Sequence, residues 1–177
     1  MSPYNFSAMY ERALARYCAP TGDRRGVAVR DVCYMSRVWE LRIVTLGFGK
    51  ETVDEVCVHQ GTYWPYRREI NIGRPPEEWQ TELEYVTLMH EIGHSRQPFE
   101  MHQAHSAGDT LPAECDAWEW AIAHSEVWNT FTQAFMGFCL LNYVNNHPAV
   151  SVKDLALVNH AMRVSRERLR TGGTDGE

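Results

Sequence analysis

The residues best suited to chemistry in this 177-residue chain are His90-Glu91-Ile92-Gly93-His94, an H-E-x-x-H sequence. Residues four apart are neighbours on the surface of a helix, so both imidazoles can reach one metal ion from consecutive turns. Glu91 is turned by about 100° from His90. That offset places its carboxylate beside the metal, where it can accept a proton without displacing the water that the metal activates. Zinc lowers the pKa of such water to about 7, and a neighbouring carboxylate then moves protons to the leaving group. The pattern lies within a strongly amphipathic segment, as a helical reading requires.

Zinc sites in hydrolases commonly take three protein ligands and keep one position open. A third ligand must therefore come from outside the motif. The segment Leu111-Pro112-Ala113-Glu114-Cys115-Asp116-Ala117-Trp118-Glu119-Trp120-Ala121 supplies candidates. Glu114 is favoured, because it falls in the first turn of an expected helix and a short reversal after His94 would return it to the metal. Asp116 points roughly 200° away on the same helix, where a hydrogen bond to a histidine or a first-turn dipole contact would also suit it. His102 and His105 in the intervening polar loop are alternatives, and Glu119 reads as surface. The metzincin extension is excluded, since Gln97 and Glu100 stand where it needs a glycine and a histidine.

The two segments His90-Glu91-Ile92-Gly93-His94 and Glu114-Cys115-Asp116-Ala117-Trp118-Glu119-Trp120-Ala121 together resemble the ImmA/IrrE-like metallopeptidases of bacteria and their phages and mobile elements. The spacing to Glu114 is similar to the Glu-zincin, thermolysin-like arrangement. The resemblance covers residues 53–123. It implies a zincin-like fold, with His90, His94 and Glu114 as zinc ligands and Glu91 as catalytic base. Trp118 departs from the Asn or Asp often found at that position, so a contact made there by other members is not expected here.

The remaining sequence must position these groups. Phe6, Met9, Tyr10, Leu14 and Tyr17 recur at helical spacing, and Ala19-Pro20-Thr21-Gly22-Asp23 ends that N-terminal helix. From Val27 to Leu46 helical and alternating patterns compete, and a strand is expected only from Val38 onward. Alternation through Val56 and Val58 gives a second strand, Gly61 to Tyr66 a turn, and Arg68 to Ile72 a third strand. Three short strands in sequence suggest a small, largely antiparallel sheet. The active-site helix is expected over Glu77 to Ser95, started by Pro75 and Pro76 and stopped by Pro98. A helix capped by Asp109 or Thr110 follows, with Pro112 in its first turn. Two more are expected, from Trp128 to Asn145 and from Val152 to Arg170. The whole reads as one α+β domain, loose at Met1 to Asn5 and from Thr171 to Glu177.

Composition narrows the function. A formal charge of -6 argues against a phosphate backbone as the main partner. The basic groups Arg24, Arg25, Arg30 and Arg163, Arg166, Arg168, Arg170 read as solvated faces or helix-end bias. The start lacks a basic and then apolar leader, and the longest apolar stretch, Ala134 to Leu141, is too short to span a bilayer, so a cytoplasmic protein without membrane contact is expected. Five cysteines without a Cys-x-x-Cys pair suggest free thiols, not a disulfide framework or a thiolate zinc site.

The expected function is thus a zinc-dependent peptidase acting on a protein or peptide substrate. Tyr63, Tyr66, His59 and His124 are candidate donors to a developing oxyanion, none favoured by spacing. Two other readings stand beside it: a regulatory or protein-binding module with a structural zinc, and an accessory protein that oligomerises through its C-terminal helices. Intact Glu91 speaks against the first of these, because a structural site has no need of a carboxylate beside an open position.

Overall fold

The computed structural model describes residues 3–22, 25–31, 38–47, 50–59, 61–103, 107–146 and 150–172, with the backbone alone at 38–47, 50–57, 59 and 107–109. The N-terminal amphipathic stretch forms α1, Phe6–Ala13, which continues as a wider π-turn over Leu14–Cys18. Asn5, expected in a loose end, caps it: its side-chain oxygen accepts the Ala8 N–H at 3.1 Å. The strands are β1 (Ala28–Asp31), β2 (Val38–Gly47), β3 (Lys50–His59), β4 (Thr62–Trp64) and β5 (Glu69–Ile72).

These strands do not form the largely antiparallel three-stranded sheet expected. Among the described residues β2 and β3 pair only with each other, as a long antiparallel hairpin with Val38 opposite His59 and Gly47 opposite Lys50. A second sheet has the order β1-β5-β4 and is mixed, because β5 runs parallel to β1 and antiparallel to β4. The hairpin is an excursion between β1 and β5, so the chain returns to the sheet in its original direction. Both short strands are defined by pairing and not by alternation. β1 is mostly exposed, which leaves no apolar period for the sequence to display. β4 occupies part of the expected Gly61–Tyr66 turn, and the turn itself falls at residues 65–68, where Arg68 takes a left-handed φ of 51°. Arg68 is steadied there by its guanidinium, which donates to the Arg25 carbonyl at 3.0 Å.

The helix α2, Glu82–His94, is the centre of the molecule. Leu83, Val86, Leu88, Met89 and Ile92 are fully buried, and Glu84, His90 and Glu91 are buried with them, so this helix is covered on almost every side. It packs against α1, α3 (Ala107–His124) and α4 (Thr130–Asn146), with β3, β4 and β5 across it. Its start lies later than the prolines suggest. Pro76–Glu78 makes only a short 3-10 turn, and the helix begins after Thr81, where the Glu84 carboxylate accepts the backbone N–H groups of Thr81 (3.1 Å) and Gln80 (3.2 Å).

Helix α3 begins at Ala107, earlier than a cap at Asp109 or Thr110 would allow, and places Pro112 inside it. Proline forfeits one hydrogen bond to the carbonyl four residues back, a loss confined here to the helix's N-terminal end. Glu114 therefore sits beyond the first turn. α4 is capped by Asn129, whose side-chain oxygen accepts from Phe131 and Thr132 at 3.0 Å while its amide donates to Glu82 on α2 at 2.8 Å. The last helix, α5 (Val152–Gly172), buries Val158, Ala161 and Ser165 against α3 and α4, half-buries Met162 and Val164, and exposes most of the rest. It carries order through Thr171 and Gly172, and the remainder of the expected loose tail lies outside the described residues. Among the described residues no helix is long and apolar enough to cross a membrane. Cys18, Cys115 and Cys139 are buried free thiols.

Candidate metal centre

Two helices deliver the donor atoms, α2 with His90 and His94, and α3 with Glu114. They meet at Gly93. A Cβ built there would stand 2.7 Å from the Ala117 carbonyl oxygen, closer than real side chains come, and 3.0 Å from the Ala117 Cα. The glycine between the histidines thus lets α3 close onto α2. Ala117 lies three residues from Glu114, so this contact brings the carboxylate to the imidazoles.

The result is a tight triangle. His90 Nε2 lies 3.1 Å from Glu114 Oε2 and 3.1 Å from His94 Nε2, and His94 Nε2 lies 3.3 Å from Glu114 Oε1. Donor atoms around a tetrahedral zinc stand roughly 3.3 Å apart, because each bond is about 2.0–2.2 Å long. Two imidazole nitrogens and a carboxylate at these separations fit a divalent ion, and His90, His94 and Glu114 together could hold one. All three are almost wholly shielded from solvent. Burial raises the Glu114 carboxyl, but its hydrogen bonds and charge attraction to both histidines outweigh this and hold it well below the usual carboxylate range. Burial opposes charge on His94 as well, and Glu114 again prevails, holding that imidazole up to about 9.

The two histidines are oriented by different means. The His90 ring lies against the Trp118 indole with centroids 4.3 Å apart and planes inclined by 30°. Trp118 therefore orients His90 by packing. His94 Nδ1 lies 3.0 Å from Gln97 Oε1, and Gln97 in turn donates to Asp116. Asp116 acts on a histidine at one remove and is not a ligand.

Glu91 is buried next to this triangle. Its carboxyl is raised by burial, partly offset by the two histidines, and it accepts the Tyr63 backbone N–H. Space for it comes from Gly61, where a Cβ would lie 2.8 Å from Glu91 Cγ and 3.3 Å from Oε1. His90, Glu91 and Glu114 face one cavity of about 60 Å³, which has room for several water molecules. Val58, Trp118, Phe135 and Tyr143 form other walls.

Of the expected oxyanion donors, Tyr63 is half-buried with its ring against His102, Tyr66 is 80% exposed, and His124 stacks on Trp120 away from the triangle. The side chain of His59 lies outside the described residues. Sequence reasoning missed Tyr143 on α4, whose hydroxyl bonds to the Glu114 carboxylate; burial and that carboxylate push its pKa up. No local pattern marks it, since it comes from a helix beyond both motifs. His102 is not a ligand: its Nε2 bonds to the His94 carbonyl at 3.0 Å. His105 lies outside the described residues. Glu119 pairs with His160 of α5 at 3.6 Å, on the surface as expected.

Comparison with known protein families, with curated proteins and with solved structures found no match to this chain.

Proposed function

We propose that this chain is a zinc-dependent peptidase that hydrolyses a peptide bond in a protein or peptide substrate. The observation that carries this reading is the placement of Glu91. It is a buried carboxylate that opens onto the same cavity as His90 and Glu114, and the triangle is complete without it. A structural site has no use for a second buried carboxylate, which costs desolvation free energy. A hydrolytic site requires one.

His90, His94 and Glu114 would hold the ion. Zinc supplies Lewis acidity, polarising a peptide carbonyl and making water acidic near neutral pH. Glu91 accepts the proton of the attacking water and passes it to the departing amine nitrogen. The same carboxyl thus serves as base and then as acid within one turnover. The Tyr63 N–H holds the carboxylate in place. The hydroxyl of Tyr143, at the same cavity, gives its one hydrogen to the Glu114 carboxylate and so steadies that ligand. The pairing of motifs seen in the sequence supports placing this activity near the ImmA/IrrE-like metallopeptidases.

The test is incubation of the zinc-loaded protein with a proteome-derived peptide mixture, read by mass spectrometry of new termini. New termini are expected with zinc, absent after treatment with a chelator, and restored by zinc. Termini that form equally in the chelator would contradict the proposal.

A further inference from the structure

We infer that Gln97 is a positioning residue that fixes the ring and tautomer of His94, held in its own orientation by Asp116 and the Ala113 carbonyl. The inference rests on the proposed metal site and concerns how that site is preorganised. Gln97 Nε2 faces two groups, Asp116 Oδ2 at 3.0 Å and the Ala113 carbonyl oxygen at 2.5 Å. Both are acceptors only, since an ionised carboxylate and a backbone carbonyl carry no hydrogen. A flipped amide would set its oxygen against two other oxygens. The orientation of Gln97 is therefore dictated, and its Oε1 must face His94 Nδ1, 3.0 Å away. An oxygen there accepts, so Nδ1 carries the hydrogen. In the neutral ring the lone pair then belongs to Nε2, the atom that stands in the triangle with His90 and Glu114.

The same side chain also spans the two helices that supply the donors. It leaves the chain three residues after His94, at the end of α2, and bonds to α3 on either side of Glu114, at Ala113 and Asp116. It thus sets the distance between His94 and Glu114 as well as the tautomer. Among the described residues no side-chain acceptor supports His90 Nδ1, and the His90 ring is set by Trp118.

Gln97→Met keeps the length of the side chain and removes both polar ends. Zinc affinity, measured by competition with a chromophoric chelator, should fall by about tenfold or more, within the range that outer contacts of metal-binding histidines control. Long-range proton–nitrogen NMR of histidine-labelled, metal-stripped protein in alkaline solution gives an independent readout. His94 should carry its hydrogen on Nδ1 in the wild type and lose that preference in Gln97→Met, while His90 is unchanged. A purely structural glutamine would not shift one tautomer selectively. Should Gln97→Met fail to fold, Asp116→Ala, at an exposed position, loosens the same amide, and faster exchange of the His94 Nδ1 hydrogen is expected. Wild-type affinity together with an unchanged His94 tautomer in Gln97→Met overturns the inference, as does unchanged exchange in Asp116→Ala. A wild-type protein that binds no zinc would instead overturn the metal site itself.

Discussion

Glu91→Gln is expected to keep its metal and its fold while losing peptide-bond cleavage by about a hundredfold or more. The amide matches the carboxylate in size, an important point where Gly61 leaves so little room. Its oxygen can still accept the Tyr63 N–H, and a neutral group in this buried place avoids the desolvation that the carboxylate suffers. What is lost is the basic oxygen that takes the proton. Thermal melting should therefore stay close to the wild type, and zinc content should not change. Cleavage of a peptide found by mass spectrometry supplies the rate. If Glu91→Gln leaves every activity intact while His90→Ala abolishes it, the metal is structural and the peptidase reading falls.

Glu114→Ala is expected to weaken zinc retention by about a hundredfold or more, beyond the ten- to hundredfold that outer contacts control. The carboxylate is the only anionic donor in the triangle, and it lies within 3.1 and 3.3 Å of the two imidazole nitrogens. Its loss leaves a two-ligand site and removes the partner of the Tyr143 hydroxyl. Asp116→Ala should cost less, because Asp116 reaches the site only through Gln97 and the Ala113 carbonyl still holds that amide. His102→Ala should cost least, since His102 bonds to the His94 backbone. Chelator competition on the three variants measures the order. A variant of Asp116 or His102 that releases zinc as readily as Glu114→Ala would show that the ligand assignment is wrong.

The parts of the molecule that were legible in the sequence are those governed by local geometry. The i, i+4 spacing of His90 and His94 dictates a common face on any helix, and the apolar repeat around it fixes the helix. Glu114 was reachable because a short loop between two helices leaves few places for the second one to go. The strand β5 and the helices α4 and α5 likewise announce themselves through period, turns and caps. Groups joined only by long-range contacts were not legible. Tyr143 belongs to a helix that the motifs do not include, and Gln97 looked merely like a residue at which another zinc motif fails. The strands β1 and β4 carry no apolar alternation, and their partner β5 defines them. The parallel pairing of β1 with β5 depends on the route of the hairpin between them, which no window of the sequence contains.

Some sequence features acquire a physical reason only in three dimensions. Gly93 permits the approach of α3, since even a methyl group there would collide with the Ala117 carbonyl. Gly61 does the same for Glu91 from the start of β4. Trp118 packs flat enough on His90 to orient the ring without a hydrogen bond.

Elemental analysis of the purified protein, beside His90→Ala prepared in the same way, tests the central claim most directly. Two imidazoles and a carboxylate in this arrangement predict about one zinc per wild-type chain, retained through desalting. The His90→Ala protein should hold little or none, with its fold verified by circular dichroism. A wild-type protein that contains no transition metal, and does not retain zinc when it is added back, would contradict the account.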